Sequence, residues 1–184
     1  MGYPLSRIGV RSAGRQIEGR VFQSKTVDEI IRQIASASLR DGAHQPRHRG
    51  GIREYRLQGL ILDRNDLSAM ADGDQTLQPV LMNADELAIP VIVLGEYRYG
   101  IASSRGRARY EKWLLETLST CRVLRIDEAT ASEYALIRGE LKRIGQPIPS
   151  NDTWVAALAR QHAMPVISRD QHFDVVPYVQ RIPW

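Results

Sequence analysis

From Leu60 onward, short apolar runs alternate with stretches of helical period, and this alternation most constrains what the chain can fold into. Leu60-Ile61-Leu62, Leu87–Ile89, Arg122–Ile126 and Pro165–Ser168 read as strands. Between them the spacing predicts helical segments over Asp66–Ala71, Gln75–Asn83, Val91–Ile101 and Gly106–Thr120. A long helix follows, capped by Asp127 and running to Ile144. Its predicted stripe is Ala131, Tyr134, Ala135, Arg138 and Leu141, with Gly145 just beyond its end as a natural left-handed stop. Ser150 or Asn151 then caps a further helix that carries Asp152 in its first turn, where the macrodipole favours a carboxylate. Val155, Leu158, Ala159 and His162 follow at helical spacing, and Pro165 stops the helix. Strands separated by helices imply an α/β fold: a mostly parallel central sheet covered on both faces, three layers in all.

The net charge of +4 is unevenly placed. Residues 1–59 hold eleven Lys/Arg against five Asp/Glu, whereas residues 60–184 hold fourteen against sixteen. With Gly50-Gly51 and Gly59 nearby, that shift divides the chain into a basic N-terminal extension (1–59) and a domain over 60–184. One helix is predicted over 26–40 and a linker over 41–59, where Pro46 argues against His44 and His48 sharing a helix face. Docking, nucleic-acid binding through its arginines, or an over-long reading frame all remain open as accounts of the extension. Cys121 is the one cysteine, in an apolar run, and reads as a small buried side chain. With no second cysteine to pair with and no apolar run of spanning length, the expectation is a cytoplasmic protein that does not enter a membrane. Tyr110, Trp113, Tyr134 and Trp154 lie at core spacing and read as packing.

The chemistry is in carboxylates. Asp63 tops a strand, Glu96 follows a strand on a helix, Asp152 opens a helix and Asp170 tops a strand. In a parallel sheet all four can meet at the carboxyl edge, where such sheets bind ligands. Four clustered acids raise one another's pKa unless something compensates. A hard divalent cation does so, and can activate water against a phosphoryl group. Singly, each acid has a plain structural account: a cap, a dipole partner or a solvated side chain. The set and its order carry the reading.

Four motifs then resemble one family in order and spacing. They are Asp63-Arg64-Asn65, the run from Ile89 through Glu96 to Gly100, Asn151-Asp152-Thr153-Trp154-Val155-Ala156-Ala157, and Ser168-Arg169-Asp170-Gln171-His172-Phe173. Over about residues 60–178 the chain resembles PIN-domain ribonuclease toxins of the VapC type. The resemblance implies a Mg²⁺- or Mn²⁺-dependent endoribonuclease that hydrolyses RNA, is held inactive by a VapB-type antitoxin and tends to form a homodimer. Carried over by position, the catalytic and metal-binding set is Asp63, Glu96, Asp152 and Asp170, with Asn65 and Ser168 as polar supports. On this reading Asp63 and Asp152 hold the metal directly, and Glu96 and Asp170 complete the shell or orient water.

Two positions depart from the family. Arg64 stands where it has Thr or Ser, and Asp66 where it is usually apolar. A guanidinium there could pair with the acids and occupy the cation's place, leaving a catalytically impaired module that binds RNA or protein. It could instead swing outward to grip phosphate with Asp66 as its surface partner. Arg98, Arg105, Arg107 and Arg109 cluster after Glu96 and either track an RNA backbone or form a solvated helix entrance. A phosphoacceptor receiver domain shares the sheet type but needs a lysine after a late strand, and the last lysine is Lys142.

Overall fold

A computed structural model describes residues 57–184. The helix predicted over 26–40 and His44 and His48 lie outside the described residues. Five strands make one sheet: β1 (Leu60–Leu62), β2 (Leu87–Pro90), β3 (Arg122–Leu124), β4 (Val166–Ile167) and β5 (Arg181–Ile182). Their order is β3-β2-β1-β4-β5, and every pairing is parallel. Helices α1 (Arg64–Asp72), α2 (Gln78–Leu81), α3 (Val91–Ala102), α4 (Arg107–Leu118), α5 (Glu128–Arg143) and α6 (Ser150–His162) complete a three-layer α/β/α domain. The pairing reaches back to Leu57, which bridges Ala84 although the sequence places it in the linker.

Strand order explains where a site can form. The chain winds outward through β1, β2 and β3, then returns to lay β4 on the other side of β1. The point of reversal between β1 and β4 opens a crevice at the carboxyl edge, as in other doubly wound sheets. Ile61 is level with Val166 and Leu62 with Ile167, so the next residues, Asp63 and Ser168, emerge side by side. β5 went unforeseen because its two residues carry no period. Backbone pairing creates it: the Val166 N–H donates to the Gln180 carbonyl at 2.9 Å and the Ser168 N–H to the Ile182 carbonyl at 3.2 Å.

β1 is buried on both faces, which is why it reads as unbroken Leu-Ile-Leu rather than as an alternating strand. Helix α6 is buried nearly all round, at Val155, Ala156, Ala157, Leu158 and Ala159, because it packs along α5 and against α3. Burying one such leucine contributes about 1.5–3 kcal/mol. Small residues at 156 and 157 let its neighbours close in. Asp152, one turn before them, is thereby fixed at the carboxyl edge.

Two local readings need correction. The buried stripe of α5 is Thr130, Ile137 and Leu141, with Tyr134 half-buried, while Ala131, Ala135 and Arg138 are exposed. Both stripes have helical period, and packing against α6 selects the one that carries the Ile137 side chain. Helix α6 begins one residue earlier than a Ser150 or Asn151 cap allows, with Pro149 at the N-cap and no side-chain cap. Both polar residues therefore lie inside the helix, which frees Asn151 for another task. Asp127 does cap α5, and Gly145 does take the left-handed conformation (φ 69°) that favours glycine.

The aromatic residues pack as expected. Tyr134 stacks on Trp154 with ring centroids 4.0 Å apart, and Trp113 lies tilted against Tyr97 at 6.0 Å.

Candidate metal centre

Asp63 is fixed from several directions. It is the N-cap of α1, its Oδ1 accepting the Arg64 N–H at 2.6 Å. Its Oδ2 accepts the Ser168 hydroxyl at 2.9 Å, a contact that follows directly from the β1–β4 register. The same hydroxyl oxygen accepts the Asp170 N–H at 2.9 Å, so one serine ties together the ends of both central strands. Burial raises the Asp63 pKa above its ordinary value, the two hydrogen bonds oppose this, and the charges of Asp170 and Glu96 push it further up.

Asp152 approaches from the first turn of α6, and Asp170 caps a 3₁₀ turn over Gln171–Val175. Between them lies His172, its Nδ1 2.9 Å from Asp152 Oδ2 and 3.0 Å from Asp170 Oδ1. Burial raises the Asp152 pKa, with the charges of Asp63 and Asp170 adding to the rise and His172 opposing it. Glu96, from α3, accepts the Asn151 side-chain N–H at 2.5 Å. Asp63 thus feels the charges of Asp170 and Glu96, and Asp152 those of Asp63 and Asp170, while Asp170 lines one groove of the surface and Glu96 another. Among the described residues no lysine or arginine pairs with any of the four acids. Acids that raise one another's pKa, with no lysine or arginine ion-paired to them and only the charge of Arg181 acting on Asp170 from further off, are on their polar supports a donor set that fits a divalent cation.

Sequence reasoning missed Asn151 and His172. The cap reading accounts for Asn151 locally, and the contact that uses it spans 55 positions. His172 stands inside the Ser168–Phe173 motif with no role of its own there. A histidine two residues beyond a strand-topping acid was the available signal.

Asp66 is not a surface partner of Arg64. It is fully buried: Oδ2 accepts the Asp63 N–H at 2.6 Å and Oδ1 accepts the indole N–H of Trp184 at 2.7 Å. Arg169 lies over the Trp184 ring, 3.6 Å from its centroid, and pairs with Asp74 at 3.1 Å. The position faces inward because it is the third residue of α1, where a side chain turns back towards the cap. Burial pushes the Asp66 carboxyl up to about 8, against the pull of the donors and of Arg169. The final residue of the chain therefore fastens the helix that begins at Asp63.

Arg64 is exposed and makes no ion pair with the acids among the described residues. It lines a groove of about 230 Å³ with Ser68, Glu96, Tyr97 and Tyr110. A larger groove of about 720 Å³ runs past Asp170 and His172, with Asn65 and Arg169 on its walls. Asn65 is exposed there and makes no hydrogen bond to the acids among the described residues; Ser168 does. Of the four arginines after Glu96, Arg107 pairs with Glu111 at 2.6 Å and Arg109 with Asp72 at 3.7 Å. Arg98 and Arg105 are exposed.

A parallel sheet with acids at its point of reversal defines an α/β domain with an acidic centre on the carboxyl edge. Comparison with known proteins makes this specific. The PIN domain family matches residues 60–178. Ribonuclease VapC5 of Mycobacterium tuberculosis is 30% identical over 115 residues, spanning 61% of this chain and 84% of the relative. Ribonuclease VapC4 of the same organism is 29% identical over 99 residues, spanning 53% and 76%. The structure of VapBC-5 from M. tuberculosis superimposes with a TM-score of 0.56 at 28% identity, covering 69% of this chain and 99% of that one. DNA-bound VapBC from Salmonella typhimurium shares the fold at a TM-score of 0.62 and 24% identity, covering 70% and 99%. The chain belongs to the PIN-domain family, among its VapC-type members.

Proposed function

We propose that this protein is a divalent-metal-dependent endoribonuclease acting as the toxin of a type II toxin–antitoxin module. The observation that carries the reading is the electrostatic coupling of Asp63 to Asp170 and Glu96 and of Asp152 to Asp63 and Asp170, in a chain related to proteins named ribonucleases. Asp63 and Asp152 would hold Mg²⁺ or Mn²⁺ most directly, with Asp170 beside them. The ion, when bound, lowers the pKa of water and offsets charge on the phosphoryl oxygens.

The chain's own groups do the rest. Ser168 and the Arg64 N–H hold Asp63 in one orientation. Asn151 leaves one Glu96 oxygen free to accept a proton from the attacking water. One bond forms between water oxygen and phosphorus, and one P–O ester bond of the RNA breaks. The groove of about 720 Å³ beside Asp170 offers space for a nucleotide next to that acid. Arg64, Arg98 and Arg105 supply exposed positive charge for the RNA backbone.

The structures related in fold are toxin–antitoxin complexes, which supports a VapB-type antitoxin as partner. A homodimer and a cytoplasmic location belong to the same reading, and no helix among the described residues is long and apolar enough to cross a membrane. The alternative, an impaired module with Arg64 in the cation's place, is disfavoured by the exposed position of that side chain.

Purified protein incubated with total RNA decides between them. Cleavage with Mg²⁺ or Mn²⁺, abolished by chelator and by Asp152→Asn, is the expected result. RNA left intact under every metal condition would refute the enzyme. Activity gained only on Arg64→Thr would favour the impaired module.

A further inference from the structure

The sequence describes an all-oxygen centre. The structure adds an imidazole. The Nδ1 of His172 lies 2.9 Å from Asp152 Oδ2 and 3.0 Å from Asp170 Oδ1. One ligand atom from each of the three residues lies within 4.8 Å of the others. Those separations suit neighbouring positions in one coordination shell, since bonds of about 2.1 Å at right angles put adjacent ligand atoms about 3 Å apart. A single imidazole nitrogen carries at most one proton and here faces two carboxylates, so as a donor it has to share that proton in a three-centre bond, whereas as a metal ligand it uses its lone pair and the carboxylates bind beside it.

The surroundings agree with a ligand. No lysine or arginine forms an ion pair with Asp63, Glu96, Asp152 or Asp170 among the described residues; Arg181, which donates to the Ser168 carbonyl at 3.0 Å, acts on Asp170 through its charge alone, and His172 is the basic group in direct contact with the acids. Its position is held at the backbone, where the His172 N–H donates to Asp170 Oδ1 at 2.9 Å. The His172 side chain is 47% exposed, which leaves room for solvent or phosphate oxygens on the open side.

We propose that His172 binds the divalent cation through Nδ1, making the centre a mixed nitrogen–oxygen site that selects Mn²⁺ over Mg²⁺. This rests on the metal-dependent reading above. Imidazole is a good ligand for first-row transition ions, whereas Mg²⁺ holds to oxygen and water. A centre of carboxylates alone gives no such preference.

The test is Mn²⁺ binding to the full chain freed of any histidine tag, followed by electron paramagnetic resonance, with no RNA present. Pulsed measurements on wild type should show the hyperfine coupling of a directly bound ¹⁴N, and His172→Asn should lose it. Mn²⁺ affinity should fall at least about tenfold in that variant, the low end of losses seen when a metal site's histidine network is disturbed. Mg²⁺ affinity, read by competition, should stay within about twofold because that ion gains little from nitrogen. Mn²⁺ bound to wild type without ¹⁴N coupling overturns the ligand and leaves the metal reading standing. A coupling that survives in His172→Asn overturns it too, by assigning the nitrogen elsewhere. No Mn²⁺ binding at all overturns both. The wild-type spectrum decides the matter even if the variant folds poorly.

Discussion

The two walls of the acidic pocket are built on different principles. On one, Asp63 is 8% exposed and locked by a helix cap, a strand-end serine and, through Asp66, the last residue of the chain. On the other, the side chains of Asp152, Asp170 and His172 are partly open and hold one another, and the buried Ser168 reaches this wall only through the Asp170 backbone N–H. The first wall is part of the fold, since the bonds that aim Asp63 also close β1 against β4. The second is separable from it: its acids stand on a helix turn and a 3₁₀ turn and can be altered without reopening the sheet.

The largest effect that probes this contrast is on activity. Asp152→Asn should lower RNA cleavage by at least about a hundredfold, a usual loss for a positioned acid or base. Its melting temperature should barely move, because no core contact is lost. Asp63→Ala should lose as much activity and also about 1–2 kcal/mol of stability, the cost of a missing N-cap. Equal stability losses in urea titrations of the two variants would erase the distinction between the walls.

The fastening at the chain's end comes next. Trp184→Phe keeps a ring under Arg169 but removes the N–H that Asp66 accepts. A buried acceptor left without its donor costs about 1–3 kcal/mol. Chemical denaturation should show that loss, and a truncation lacking Trp184 should show no less.

A pH series sharpens the same wall. Asp66 ordinarily titrates at 3.8 and folding raises it to about 8, so between those values the folded chain keeps a proton that the unfolded chain has released. Its contribution is fully present below about pH 4, declines as pH rises towards 8 and is level above that. Asp74, Asp127 and Asp174 are pulled below their ordinary value by their hydrogen bonds, so their contributions fail only at the acid end. Wild-type urea midpoints should therefore fall from about pH 5 to about pH 7.5, and Asp66→Asn should flatten the slope. A wild-type slope of opposite sign would show that Asp66 folds as a carboxylate.

The smallest effect is at Asn151. Asn151→Ala removes the one side-chain donor on Glu96 and should cost no more than about 1 kcal/mol, the net value of a typical hydrogen bond. The activity lost should be smaller than with Asp152→Asn, since Glu96 itself remains.

The sequence by itself determined the layers, the parallel sheet and the four acids, because each is written in local signals. Leu60-Ile61-Leu62 is too apolar for anything but a buried strand, and acids following strands must face the carboxyl edge of a parallel sheet. Periodicity also placed all six helices to within a few residues. It could not choose between two stripes of α5, since both repeat with the same period and only the neighbour α6 breaks the tie.

What tertiary structure alone decided are the contacts across long separations. Ser168 meets Asp63 across 105 positions and Trp184 meets Asp66 across 118. Such partners leave no local mark, because a register between strands fixes them and strand order is not encoded in any one strand. Asp66 shows both kinds. Its place three residues after Asp63 turns it back to the helix cap, a local signal, while only the return of the tail behind α1 brings Trp184 to it and makes it the buried end of a tether.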